Sequence, residues 1–357
     1  MTNFNQSELP KEQIDLVFDL YTKGKYHEAI NEIKILNETY PNVPILFNLA
    51  GACYKGLGRL KGSAKMFKMA VNLQSDYAEA HKNLGLVLKQ LGHIDASIAS
   101  LQNAINSNKD YIDAHYSLAN IYKDNNQLDD AVRSYEKVIL ISPGFAQAHN
   151  NLGNAYKDLD IHNESVTSYK KAIQIAPDFA EAHYNLGVIN KKLRKFDIAV
   201  KHFKKAISLK QNFVEAYNNL GSSYNALGKA KKAIECYQKV FTVKPNYAEA
   251  HNNLGNALKD LRRFNEAVKC YEKAILIKPD YADAYCNLGS IFTDKKDRLN
   301  ALQDFINDVR GKTENHIFIL LDVVTDCVSS FNRDDENMAL YDFLGNLCDE
   351  KNATVLL

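Results

Sequence analysis

The most constraining feature of this sequence is its period. The phrase Asn-Leu-Gly begins at Asn83 and recurs at Asn151, Asn185, Asn219, Asn253 and Asn287, always a multiple of 34 residues apart. The missing copy falls at Ser117-Leu118-Ala119, so the frame holds there with changed letters. Extended backward, the frame passes through Ala50-Gly51 and Leu16-Val17. Nine units result, beginning at residues 10, 44, 78, 112, 146, 180, 214, 248 and 282, with no insertion or deletion between them. In such a chain each unit buries its apolar face mainly against its neighbours. A length of 357 residues ordinarily implies two or three domains. The period replaces that expectation with a tail (1–9), one stack (10–315) and a segment outside the repeat (316–357).

Within a unit the apolar columns have helical spacing. They fall at positions 3, 7, 11 and 14, as in Ala250, Leu254, Leu258 and Leu261. They resume at positions 20, 24, 27 and 28, as in Ala267, Tyr271, Ala274 and Ile275. Both series follow the i, i+3, i+4, i+7 rule of an amphipathic helix. Each unit is therefore expected to form two antiparallel helices of about 13 residues joined by a tight turn, and no segment reads as strand.

The glycines and prolines punctuate the same pattern. Position 8 holds Gly51, Gly85, Gly153, Gly187, Gly221, Gly255 and Gly289, in mid-helix, where glycine costs about 1 kcal/mol against alanine. Close approach of two helices explains that column. Position 15 holds Gly24, Gly58, Gly92 and Gly228, where the first helix should stop. Position 32 holds Pro41, Pro143, Pro177, Pro245 and Pro279, ending the second helix.

These columns resemble the tetratricopeptide repeat, which has Leu at 7, Gly at 8, Tyr at 11, Gly at 15, Ala at 20, an aromatic at 24, Ala at 27 and Pro at 32. The unit from Val214 matches with Leu220, Gly221, Tyr224, Gly228, Ala233, Tyr237 and Pro245; Val240 replaces one alanine. Position 4, often Trp in the family, is His81, His115, His149, His183 and His251, and the chain contains no Trp. The resemblance implies an all-α, right-handed superhelical solenoid whose concave face of first helices binds peptides.

Positions 2, 5, 6, 9, 12 and 13 lie opposite the apolar columns. Position 6 is the asparagine column Asn83, Asn151, Asn185, Asn219, Asn253 and Asn287. Position 12 is a lysine column: Lys55, Lys89, Lys123, Lys157, Lys191 and Lys259. Position 2 is acidic at Glu79, Asp113, Glu181, Glu215, Glu249 and Asp283, and Asp124, Asp158, Asp260 and Asp294 stand at position 13. An amide both donates and accepts, so an asparagine ladder can pair with successive backbone groups of an extended chain. It can equally bridge neighbouring repeats. The lysines either meet a ligand or pair with the acids next door. Specificity is expected from positions 5, 9, 12 and 13.

The asparagine column is similar to that of the repeat arm of O-linked N-acetylglucosamine transferases, in which it holds acceptor polypeptide. The likeness is confined to the repeats, and no glycosyltransferase domain follows Asp308. A carboxylate clamp for chaperone tails needs basic residues at positions 2 and 6, which the acidic position 2 column disfavours.

Other classes are disfavoured. Lys and Arg number 44 against 43 Asp and Glu, and the lysine and acid columns are roughly balanced, so neither nucleic acid nor an anionic membrane is an expected partner. No apolar run is long enough to span a bilayer, and no secretory signal is visible at the N-terminus. A cytoplasmic protein with free thiols at Cys53, Cys236, Cys270, Cys286, Cys327 and Cys348 is expected. No nucleotide-binding, nucleophile-elbow or zinc-protease motif occurs, so no enzyme, cofactor or metal is expected. The position 4 histidines are expected to be satisfied interhelical groups. The first unit is expected to be a cap with a more polar outer side. Residues 316–331, rich in Ile, Leu, Val and Phe, are expected to cap the stack, to form a homodimer or partner contact, or to begin a domain that this chain does not complete.

Overall fold

The computed structural model describes residues 9–292. Every element among them is an α-helix. The chain divides into two compact units, residues 1–178 and 179–357. The first unit contains α1 (Lys11–Thr22), α2 (Tyr26–Thr39), α3 (Pro44–Gly56), α4 (Leu60–Leu73), α5 (Ala78–Gln90), α6 (Ile94–Ser107), α7 (Ile112–Asp124), α8 (Leu128–Ile141), α9 (Ala146–Asp158) and α10 (His162–Ile175). The second contains α11 (Ala180–Lys192), α12 (Phe196–Leu209), α13 (Val214–Ala226), α14 (Ala230–Val243), α15 (Ala248–Asp260), α16 (Phe264–Ile277) and α17 (Ala282–Phe292). Each compact unit is an all-α solenoid of helical hairpins, and every repeat from 44 onward begins on the first residue of a helix. The second half of the repeat at 282, its break at Asp308 and the segment 316–357 lie outside the described residues.

Six of the described hairpins close on a position 8 glycine. A Cβ at Gly51, Gly153, Gly187 or Gly221 would stand 2.6 or 2.7 Å from the ring of Phe67, Tyr169, Phe203 or Tyr237, closer than real Cβ contacts come. Those rings occupy position 24 of the same repeat and are almost wholly buried. In three repeats a buried serine at position 20 tightens the joint: Ser63, Ser97 and Ser165 donate to the carbonyls of Gly51, Gly85 and Gly153 at 2.7, 2.6 and 2.8 Å. The same rings pack forward onto the following repeat. Phe67 shares a core with Leu84, and Phe203 shares one with Leu220.

The turn after each first helix has one backbone solution. Gly24, Gly58, Gly92 and Gly228 have φ of 73°, 71°, 81° and 69°. Asn126, Asp160, Arg194 and Arg262, at the same position 15, have φ of 59°, 60°, 57° and 57°. The left-handed residue turns the chain so that the next N–H reaches back to close the helix end. Lys195 N–H donates to the Asn190 carbonyl at 2.8 Å, and Arg263 N–H to the Leu258 carbonyl at 2.9 Å. The helix exit read from the glycines is thus general, and in four repeats a side chain is tolerated there at a conformational cost.

The first repeat departs from expectation. Leu16 and Phe18 of α1 are 46% and 54% exposed, so its outer side is not uniformly polar. Leu16 holds position 7, whose later occupants Leu84 and Leu220 bury against the preceding repeat. No described helix precedes α1.

Two substitutions test these constraints. Gly221→Val, which drives a branched side chain into the Tyr237 ring, should lower unfolding free energy by about 3 kcal/mol. Arg194→Gly should raise it by about 1 kcal/mol. Chemical denaturation of the full chain measures both.

Candidate interaction face of the first helices

The six position 6 asparagines and the lysines Lys89, Lys123, Lys157, Lys191 and Lys259 are all half-buried on the first helices. In the first unit, Asn83 Nδ2 donates to Asn48 Oδ1 at 3.1 Å, and Asn48 Nδ2 reaches Tyr77 Oη and Glu79 Oε1 at 3.3 and 3.4 Å. Asn151 Nδ2 donates to Tyr116 Oη at 2.9 Å and to Asn120 Oδ1 at 3.2 Å. In the second unit, Asn219 Nδ2 donates to Tyr184 Oη at 3.2 Å. Asn253 donates to Asn218 Oδ1 at 3.1 Å, and Asn287 to Asn252 Oδ1 at 2.9 Å. Each of these five position 6 asparagines donates to position 5 of the preceding repeat, and Asn151 donates also to Asn120 at position 9. The bridging role left open by the sequence therefore occupies one amide hydrogen. The carbonyl oxygens differ among repeats. Asn219 Oδ1 accepts from Lys191 Nζ at 2.7 Å and Asn151 Oδ1 from Asn150 at 3.3 Å. No hydrogen bond among the described residues reaches Oδ1 of Asn83, Asn253 or Asn287.

The lysines meet polar partners on the next repeat or beside them. Lys89 Nζ lies 2.6 Å from Asp124 Oδ2, and Lys259 Nζ donates to Ser290 Oγ at 3.1 Å. Lys157 lies 3.4 Å from the adjacent Asp158. At position 12 of the repeat at 214, Asn225 replaces lysine and still donates to Asp260 Oδ2 at 2.8 Å. Burial lowers the Lys191 pKa from its ordinary value, and the carboxylate of Glu249 works in the other direction. Glu249 in turn accepts from Asn218 Nδ2 at 2.8 Å and Tyr247 Oη at 3.2 Å. At the end of the described chain, Glu249, Asn253, Asn256, Tyr281, Asp283 and Asn287 line an open depression of about 460 Å³.

Positions 9 and 34 carry structure that sequence reasoning missed. Asn120, Asn154 and Asn256, at position 9, accept the hydroxyls of the buried Tyr135, Tyr169 and Tyr271 at 2.6, 2.7 and 2.8 Å. Where position 24 is Phe67 or Phe203, position 9 is Ala52 or Val188. The pairing of Asn with Tyr was visible in the sequence as covariation between repeats, with Tyr237 opposite Ser222 as the exception; it makes position 9 at Asn120, Asn154 and Asn256 a core-anchoring position, where variable specificity residues were expected. Position 34 is aromatic from Tyr77 to Tyr281. Its rings pack on position 5 of the same repeat, as in Tyr116–Phe145 and Tyr184–Phe213, with centroids 4.9 and 4.8 Å apart.

The histidine column is structural. Nε2 of His81, His115, His149 and His251 lies 2.9, 2.9, 3.1 and 2.9 Å from the carbonyl at position 32 of the preceding repeat. Tyr285 Oη makes the same bond, at 3.2 Å to Pro279. The four cysteines among the described residues are free thiols. Burial raises the pKa of Cys53 and Cys270 to about 11 and of Cys236 to about 12, so these thiols stay protonated. Cys327 and Cys348 lie outside the described residues. Among the described residues no three histidine, cysteine or carboxylate side chains converge as a metal site, and no helix is long and apolar enough to cross a membrane.

Stacked hairpins joined by amide bridges define a helical-repeat protein. A TPR repeat model matches residues 87–126, 119–160, 162–193, 221–262 and 255–295, and two tetratricopeptide repeat models match 180–213 and 202–235. The chain belongs to the tetratricopeptide repeat family. No curated protein matches it. Among solved structures, it is similar to the C-terminal part of a TPR repeat-containing protein from Cytophaga hutchinsonii, at 17% identity over 67% of this chain and 98% of the other, with a TM-score of 0.58. PilF of Pseudomonas aeruginosa is 19% identical over 58% of this chain and 94% of its own, with a TM-score of 0.51. Those two likenesses concern the fold. YrrB, described as a TPR protein with an unusual peptide-binding site, is 26% identical over 52% of this chain and 95% of its own, with a TM-score of 0.46.

Removing the acceptor in Asn154→Ala should strand the buried Tyr169 hydroxyl and cost about 1–2 kcal/mol, whereas adding Tyr169→Phe should recover most of the loss. A double-mutant cycle in urea reads the coupling. Burial, the larger cause, and nearby Lys171 or Lys273 hold the pKa of His149 and His251 below the ordinary 6.5. Above that value both folded and unfolded states are neutral. As pH falls through it, the unfolded chain binds protons that the folded chain does not, so the stability contributed by the neutral rings is lost between 6.5 and the lower folded values. Urea midpoints measured from about pH 7.5 to about pH 5 should fall, and should fall less in the His149→Gln, His251→Gln double variant.

Proposed function

We propose that this chain is a non-catalytic scaffold that holds an extended segment of another protein along the face of its first helices. The observation that carries the reading is the half-used amide. At Asn83, Asn253 and Asn287 one N–H is committed to the preceding repeat. That bond fixes the rotamer, while Oδ1 remains able to accept from a ligand backbone N–H. A ligand then meets acceptors whose conformational entropy is already spent by folding. The depression bounded by Glu249, Asn253, Asp283 and Asn287 has room for a side chain beside such a backbone contact. Lys89, Lys123, Lys157, Lys191 and Lys259, alternating with position 2 acids, give the face both signs of charge and suit a polypeptide of mixed charge.

A second reading follows from the same column. The asparagine ladder is similar to that of the O-linked N-acetylglucosamine transferase arm, and the chain would then present acceptor polypeptide to a group-transfer activity on a separate chain. Both readings require polypeptide capture; only the second requires a catalytic partner. Nucleotide-sugar turnover by the isolated chain should be blank under either.

The test uses Asn253→Ala with Asn287→Ala, checked for retained helix content, in crosslinking capture of partners from the native host. Capture should drop by about tenfold, the equivalent of about 1.4 kcal/mol. Undiminished capture by a folded double variant excludes the ladder as the binding surface.

A further inference from the structure

Position 11 of the first helix lies five residues after the asparagine column, about 140° around the helix, and so faces away from the ladder. In the repeat at 112, Tyr122 Oη accepts from Gln102 Nε2 of the preceding repeat at 3.2 Å. Both residues, with Asp130 of the hairpin's own second helix, line a surface depression of about 280 Å³. In the repeat at 146, Tyr156 Oη donates to Glu136 Oε1 of the preceding repeat at 2.8 Å. Burial, Glu136 and then Glu164, on the hairpin's own second helix, raise the Tyr156 pKa to about 12. Three residues therefore meet at this register: position 11, position 25 of the preceding repeat and position 19 of the same repeat.

The repeat at 214 fills the register with the opposite charge. Position 25 is Lys204 on α12, and position 19 is Lys232 on α14. Each Nζ lies 5.8 Å from the centroid of the same ring, that of Tyr224. Lys204 also reaches α14, where its charge acts on the Cys236 thiol against the burial and the Glu235 charge that raise its pKa. Tyr224 is only 7% exposed, and no hydrogen bond among the described residues reaches its Oη. Neither lysine forms an ion pair among the described residues. The exposed faces of α12 and α14 add Lys201, Lys205, Lys231 and Lys239 against Asp197 and Glu235, and Asp197 lies 4.0 Å from Lys229. The near-neutral sum over the whole chain conceals this local excess.

Two ammonium groups and a phenolic hydroxyl thus converge with donors to spare and no acceptor to meet them. We propose that Tyr224, Lys204 and Lys232 bind a phosphate monoester on the outer side of this hairpin. Such a group carries close to two negative charges and three strong acceptor oxygens, one for each donor, whereas a carboxylate brings one charge and two oxygens. Hydrogen bonds from ammonium groups to a phosphate oxygen are charge-assisted and short. The hydroxyl is held in place by the burial of its ring, and the exposed lysines close on the anion from either neighbouring second helix. The anion also relieves the repulsion between two cations that share one ring. Glu136 and Glu164, at the same register around Tyr156, repel this ligand, so the repeat at 146 rejects what the repeat at 214 binds.

The experiment titrates methyl phosphate into the full chain at low salt, followed by calorimetry. Wild type should bind one equivalent saturably. The Lys204→Gln, Lys232→Gln double variant, changed only at exposed side chains, should bind about tenfold more weakly or worse. Tyr224→Phe, which keeps the buried ring, should bind about threefold more weakly or worse. Methyl sulfate, similar in shape but singly charged, should bind about tenfold more weakly than methyl phosphate. A phosphoserine peptide that binds more tightly than methyl phosphate puts the group on a partner polypeptide; equal affinity puts it on a small molecule. Absence of saturable methyl phosphate binding, or equal affinity in wild type and the lysine double variant, overturns the proposal. So does double-stranded RNA that binds through the two lysines and is not displaced by methyl phosphate.

Discussion

The contact between a glycine and an aromatic ring inside five of the hairpins, at Gly51, Gly153, Gly187, Gly221 and Gly255, governs the rest of the structure. With no Cβ at Gly153, Gly187 or Gly221, the rings of Tyr169, Phe203 and Tyr237 fill the space a Cβ would take. The entropic cost of a mid-helix glycine is offset by the burial of a whole aromatic side chain. The repeat at 112 uses Ala119 at the glycine position against Tyr135, both wholly buried, which shows that a methyl group can be accommodated when its surroundings adjust. Once the ring is placed, its hydroxyl needs a partner. That need puts asparagine on the first helix at Asn120, Asn154 and Asn256 and leaves apolar residues where the ring is phenylalanine.

From that joint the ladder follows. First helices of successive repeats come close enough for position 6 to reach position 5, and the aromatic at position 34 packs the same seam from below. Polar chemistry on this face is consequently shared between holding repeats together and meeting a ligand. Lys191 illustrates the division. Its ammonium is committed to Asn219, and its pKa is lowered by the same burial that positions it.

The fold was legible because every element repeats. A period of 34 gave repeat starts that agree with the helix starts, and the apolar columns identified both buried faces. The histidine column was equally legible as structural, since a residue repeated once per unit demands a local explanation, which the position 32 carbonyl supplies at His81, His115, His149 and His251. The candidate site was less legible. Residue type placed the asparagines and lysines on one face, but which atom of an amide faces a neighbour and which faces solvent depends on the offset between adjacent hairpins, and no single repeat encodes that offset. The aromatic position 34 was overlooked because it falls on the connection, where no helical period points to it. Leu16 is exposed because the position 7 column in later repeats is covered by the repeat before, which α1 does not have among the described residues.

The amide bridge asks little of its acceptor. Asn83, Asn253 and Asn287 donate to another asparagine, whereas Asn151 and Asn219 donate to a tyrosine hydroxyl. Either oxygen serves, so the coupling between neighbours is generic and does not depend on which two repeats meet. A chain assembled with such couplings can gain, lose or exchange whole 34-residue modules while each junction still finds its hydrogen bond. Length and ligand reach can then change during descent without a new core having to be invented.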